Sequence, residues 1–324
     1  RLPLLALTVS GLLGLLLGYT GATRAYRPVL YAHIGLAVAG VLWLCATLFR
    51  RREESSLRFR YALAGAAALL VLLPAVTFTW NYFFPNPNHT IRNSVIVPTS
   101  MEEEGSGPDS PFWPSGARTL NGGMIPSDYF LSSEKCGECH KDIYEQWNSS
   151  MHHFASFNNQ FYRKSIEHMQ EIGGTKPSRW CAGCHDHAVL FAGKWDTPIK
   201  DQIDTPHAQA GLGCVSCHSI TKVHGTVGNG SFTLEYPRIH ELVVSDNRYM
   251  RMLSDFLTYL DPEPHRQAFL KPFMREQPAE FCSSCHKVHL DVPVNNYRWF
   301  RGFNAYDNWQ ASGVSGEGAR SFYY

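Results

Sequence analysis

The sequence predicts a mainly α-helical chain in two unlike parts, an N-terminal bundle of three transmembrane helices and then an extramembrane domain with little regular structure. Two observations carry this. Most of the apolar density lies in the first eighty residues, in three uncharged runs spanning 2–19, 29–49 and 61–80. Beyond residue 128, eight of the nine cysteines fall in four copies of one five-residue pattern, and Pro, Gly and polar residues dominate between the two regions. The expected domains are therefore an anchor at 1–80, a Pro/Gly-rich linker at 81–128 and a cysteine-bearing domain at 129–324.

The three runs are 18, 21 and 20 residues long, each near the length that crosses a bilayer core as a helix. The first opens on Arg1 and also reads as an uncleaved signal anchor. Its Gly14 and Gly18 present small residues that let a neighbouring helix approach. Orientation follows from arginine counts. Residues 50–60 carry five arginines, whereas the preceding connection carries Arg24 and Arg27, so the arginine-rich loop is expected inside and everything after Trp80 outside. His33 lies near the outer end of the second run. An ionisable group there is a candidate for a quinol headgroup or a b-type haem, but neither other run supplies a second histidine, and the position can reach the interface beside Tyr31. Quinol contact is kept as a secondary reading. Cys45, in the same run, reads as a small hydrophobe. Residues 81–128 read as a linker, or as an extended strap with too few apolar positions for a core.

The repeated pattern is Cys-x-x-Cys-His, at Cys136, Cys139 and His140, at Cys181, Cys184 and His185, at Cys214, Cys217 and His218, and at Cys282, Cys285 and His286. Two thiols three positions apart can each add to one vinyl group of a single haem, and the adjacent histidine then meets the iron. Paired zinc knuckles would not need a histidine after every second cysteine. Four covalently bound haem c groups are expected. Thioether attachment takes place outside the cytoplasmic membrane in bacteria, which agrees with the arginine argument and places this domain on the periplasmic side. Regular structure should be sparse there, with helices over 151–170 and 246–260 and a short hairpin within 220–237, and the haems should leave little room for an ordinary core.

An iron that only carries electrons needs a sixth ligand, and nine further histidines are available: His152, His153, His168, His187, His207, His224, His240, His265 and His289. His152 ranks first, at the start of an expected helix on which His153 points elsewhere. His289 follows His286 by three residues, His265 precedes the run into the fourth motif, and His224 follows the third. The remaining five read as solvated, and the histidine surplus argues against Met274 as a ligand.

With Trp147, Ser150, His152 and Ala155, which form a Trp-x-x-Ser-x-His-x-x-Ala pattern, the four motifs resemble the tetrahaem cytochrome c family of the nitrogen cycle over roughly residues 132–289. The resemblance implies that His152 is a distal haem ligand. The soluble family member lacks a three-helix anchor, and anchoring is closer in logic to quinol-oxidising cytochromes. The expected function is that of a membrane-anchored tetrahaem cytochrome moving electrons between the quinone pool or a membrane complex and a periplasmic partner. Two alternatives are a redox enzyme with one open haem acting on a small nitrogen or sulfur compound, and a structural haem subunit of a respiratory or photosynthetic complex. No lysine replaces a motif histidine, which favours electron transfer. The net charge of +1 and the lack of a basic tract argue against a nucleic-acid partner. From the residues at 321–324, the chain is expected to continue past Tyr324.

Overall fold

In chain order the elements used below are α1 (Leu2–Thr20), α2 (Arg27–Arg50), α3 (Leu57–Phe83), β1 (Arg118–Thr119), α4 (Ser133–Gly137), α5 (Lys141–Asn148), α6 (Gln160–Gly173), α7 (Thr175–His185), α8 (Cys214–His218), β2 (Ile220–Val223), β3 (Phe232–Leu234), α9 (Arg248–Leu260), α10 (Glu263–Phe269), α11 (Pro278–His286), β4 (Lys287–Leu290) and β5 (Phe300–Asn304). The structure, a computed structural model, describes residues 2–20, 26–50 and 57–316. Arg24, the middle of the arginine-rich connection at 51–56 and the chain end at 321–324 lie outside the described residues. The chain divides into two units, Arg1–Asn86 with Ser245–Gln267, and Pro87–Val244 with Ala268–Tyr324.

The first unit contains three helices long and apolar enough to cross a membrane, over Leu2–Thr20, Arg27–Leu48 and Phe59–Phe83. Small and polar residues make the seam between α1 and α2. A Cβ on Gly40 would lie 2.9 Å from the Leu7 side chain and one on Gly14 would lie 3.0 Å from the His33 ring, while Gly18 meets nothing within 4 Å. Close approach therefore uses Gly14 and Gly40, not Gly14 and Gly18. His33 Nδ1 lies 2.8 Å from the Ser10 carbonyl oxygen, and the Ser10 hydroxyl donates to the His33 carbonyl at 2.9 Å. The histidine thus ties two helices whose backbone carbonyls are otherwise taken up within each helix. Cys45 is buried, as a small hydrophobe would be. In α3, Pro74 removes one helical donor, and the Thr77 hydroxyl donates to the Leu73 carbonyl at 2.9 Å. The helix expected over 246–260 is α9. Asn247 caps it by accepting from the Tyr249 amide at 2.9 Å, Asp261 and Pro262 follow its end, and it packs on α1 within this unit.

The second unit does have a protein core. Phe112, Phe130, Phe191 and Phe232 are all buried, with Phe191 at 5.0 Å from Phe112 and 6.0 Å from Phe130 between ring centroids. The run from Ala188 to Phe191 enters it whole. Much of the rest comes from the segment expected to be a linker: Ile91, Met101, Phe112, Ala117 and Ile125 are inside, while Val95, Ile96, Leu120 and Met124 stay exposed. Its polar backbone is stitched down over long sequence separations. Gln277 bonds both backbone groups of Ile91, at 2.7 and 3.1 Å, and Asn93 accepts from the Thr226 amide at 2.7 Å. Strand β1 pairs in parallel with β3, which pairs antiparallel with β2, so the expected hairpin also receives a strand from this segment. A second antiparallel pair, β4 and β5, follows the fourth motif.

The helix expected over 151–170 begins instead at Gln160, where Asn159 accepts from the Phe161 amide at 3.0 Å. The cause is a competition for carbonyls. Those of His152 and His153 accept from the Leu212 amide at 2.8 Å and the Asn158 side chain at 2.6 Å, so they are taken before helical bonding can use them.

Candidate haem-attachment site

Each Cys-x-x-Cys-His pattern occupies a helical turn. The second motif ends α7, the third is α8 entire, and the fourth ends α11, which starts on Pro278 where a missing amide costs nothing. The first straddles the end of α4, with the turn continued by the His140 amide donating to the Cys136 carbonyl at 2.9 Å. A turn puts residues i, i+3 and i+4 on one face and the two between them on the other. In the third motif Val215 and Ser216 are buried while Cys217 and His218 are exposed, and in the fourth Ser283 and Ser284 are buried while Cys282 and His286 are exposed. The second also turns Ala182 and Gly183 inward. A Cβ on Gly183 would fall 1.9 Å from the Ser115 hydroxyl, so only glycine lets α7 seat against the segment before β1.

The motifs meet in pairs. The Cys136 thiol donates a hydrogen bond to Cys214, which raises the Cys136 pKa and brings that of Cys214 down to about 6. Cys184 likewise donates to Cys285, raising the first and lowering the second. Cys217 lies within electrostatic reach of Cys282 and Cys285. The order of neighbours is therefore motif one, three, four, two. Among the described residues no three His, Cys, Asp or Glu side chains converge as a cage for a free metal ion. Thiol pairs with one outward imidazole fit haem attachment, and a zinc knuckle would gather four donors.

Two motif histidines are held in one tautomer. His185 Nδ1 donates to the Ala155 carbonyl at 2.6 Å and His218 Nδ1 to that of Phe269 at 2.7 Å, which leaves Nε2 as the bare base an iron ligand needs. Tyr162 stacks on His185 at 4.5 Å, and its hydroxyl donates to Asp186, as does that of Ser156. Asp186 is fully buried, and burial pushes its carboxyl up to about 7. Neither Tyr162 nor Asp186 is marked by the sequence pattern. The one hint is an acidic residue placed directly after a motif and before an apolar run.

Of the four histidines expected as distal ligands, the structure brings one to a motif histidine. The His152 ring stands 6.1 Å from that of His286, at 87° between planes. Its backbone is clamped on both sides: Trp147 Nε1 donates to the Leu212 carbonyl at 2.7 Å, and the Leu212 amide returns a bond to the His152 carbonyl. Gly211, at φ +64°, passes so near that a Cβ would overlap the His153 carbonyl oxygen. The neighbour has another fate. His153 Nδ1 is bonded to the Asn148 carbonyl at 2.9 Å and its ring lies on Trp147 at 4.4 Å. His289, on β4, bonds through Nε2 to the buried Glu104, His224 bonds through Nε2 to the Thr233 hydroxyl at 2.8 Å, and His265 sits on α10 in the first unit. Two histidines read as solvated are instead inside. His187 and His240 are 2 % and 3 % exposed, each with Nδ1 unpartnered and Nε2 bonded, to the Gly183 carbonyl and the Ser132 hydroxyl respectively.

These turns can now be set beside known proteins. Residues 135–219 match the family model of cytochrome c554 and c-prime. The matched stretch is roughly a quarter of the chain, and it carries the first three motifs and the Trp147 to His152 pattern. It supports a multihaem c-type cytochrome family, covalently bound haem c and an electron-transfer role. The fourth motif lies beyond it. No curated protein and no solved structure matches the chain.

Proposed function

We propose that the chain is a membrane-anchored tetrahaem c-type cytochrome that passes electrons between the quinone pool or a membrane complex and a periplasmic redox partner in a respiratory chain. Its three helices cross the bacterial cytoplasmic membrane with the arginine-rich connection inside. The observation that carries this reading is the set of four turns that project thiols and imidazoles from one protein body, with motif one touching motif three and motif two touching motif four. Covalent haem c supplies one-electron chemistry at each turn. The eight thiols would hold the groups, and His140, His185, His218 and His286 would each supply an imidazole ligand to the iron at their own turn. His152, whose ring stands beside that of His286, would supply a second ligand at the fourth turn. The role is not extended to His224 and His289, whose Nε2 atoms are already bonded, or to His265.

Acid and organic extraction followed by intact mass is expected to retain four haem masses, and release of the pigment would refute covalent attachment. In His152→Ala the covalent haem is kept, because attachment depends on the cysteines, while one haem turns high-spin by EPR and binds carbon monoxide when reduced. His153→Ala is expected to leave the spin state unchanged. The reverse pattern would move the ligand by one residue.

A further inference from the structure

The amphipathic helix α9 exposes an apolar stripe without a protein cover. Tyr249, Met252, Leu253, Phe256, Leu257 and Leu260 recur at helical spacing on one side, with Tyr249 78 % and Met252 55 % exposed. The one buried residue of the helix is Ser254, on the opposite side, flanked by half-buried Arg251 and Thr258. A stripe of this size facing water is uncommon on a soluble surface. Its setting says what covers it. The helix packs on α1, inside the unit made of the three membrane-length helices. Just past it, the carboxyl of Glu263 is held below the usual range first by the Arg266 hydrogen bond and, in smaller part, by the charge of Arg27. Arg27 is the first residue of α2, so α9 ends at the level where α1 finishes and α2 starts. Tyr19, Tyr26 and Tyr31, at that same level, are all exposed, as in the aromatic belt of a membrane interface.

We propose that α9 lies in the bilayer interface at that end of the bundle, with Phe256 and its neighbours among the acyl chains and the exposed Arg248 at the headgroup phosphates. This is a second mode of membrane contact beside the spans themselves, a helix lying in the plane of the surface. It rests on α1–α3 crossing the membrane.

The test uses the full haem-loaded chain in phosphatidylcholine and phosphatidylglycerol liposomes, in a Cys45→Ser background, with a nitroxide on Phe256→Cys, Asp255→Cys or Leu15→Cys. Leu15 is 74 % exposed on α1 and serves as the lipid-facing control. The ratio of molecular oxygen to nickel chelate collision rates is expected to be at least about tenfold higher at 256 than at 255, and as high at 15 as at 256. A water-like ratio at 256 with a lipid-like one at 15 overturns the proposal alone. Protection of 256 from both reagents also overturns it, in favour of a protein cover. A water-like ratio at 15 overturns the membrane reading and the proposal with it.

Discussion

The two units bury opposite things. In the helical anchor the large apolar residues point outward, Leu15 and Phe78 both 74 % exposed, while the seam between α1 and α2 holds Gly14, Gly40, Ser10 and His33. In the cysteine-bearing unit a cluster of large apolar side chains, Phe112, Phe130, Phe191 and Phe232, is inside, and the outward positions of the third and fourth motif turns carry Cys217, His218, Cys282 and His286. On the membrane placement proposed above, the contrast is one of solvent. Lipid is as apolar as leucine, so a helix bundle gains little by hiding leucine and gains instead from close backbone approach and interhelical hydrogen bonds. Water drives phenylalanine in, and what remains outside is available for a prosthetic group.

Truncation should break the comparison most clearly. Phe191→Ala removes the ring at the centre of the phenylalanine cluster and is expected to cost about 3–5 kcal/mol, read from denaturant unfolding of the full chain in detergent by haem absorbance. Leu15→Ala, losing a side chain of similar apolar character on the lipid face, should stay within about 0.5 kcal/mol. Equal effects would mean that the two units are packed by the same force. A smaller effect is expected in the opposite direction of size. Gly40→Leu forces α1 from α2 at a contact already filled by Leu7, and should cost about 1–3 kcal/mol in thermal stability of the anchor, where the same substitution at Gly18 costs little.

The smallest effect concerns charge inside the second unit. Burial among Tyr129, Tyr236 and Phe269 lowers the His240 pKa to about 4. The unfolded chain binds this proton near pH 6.5 and the folded chain does not, so the stabilising contribution is complete above about 6.5 and is lost as pH falls toward 4. Between pH 7 and 5 the melting temperature of the wild type should therefore fall more steeply than that of His240→Gln. Parallel slopes would show that the ring titrates as if in water.

Much of the candidate site was legible because thioether attachment needs its three side chains within five residues, where the turn alone sets their geometry. The same locality made the three spans and α9 readable from hydropathy and caps. What could not be read was long-range. Residues 87–128 look like a linker because their apolar positions follow no period, yet Met101 and Phe112 are core, recruited by contacts with residues far along the chain such as Asn229 and Asp291. His187 and His240 resemble any surplus histidine until the chain folds around them.

The amino-acid sequence by itself determined the number of Cys-x-x-Cys-His turns, the apolar lengths of α1–α3 and the presence of a helix over 246–260, because each depends on residues within a few turns of one another. Tertiary structure alone decided which motifs are neighbours, that His152 and not His153 stands beside His286, and that Ile91, Met101, Phe112, Ala117 and Ile125 belong to the core. Those outcomes depend on carbonyls and glycines dozens of positions away, Leu212 and Gly211 above all, whose bonds and close approaches override the local helical preference of residues 151–159.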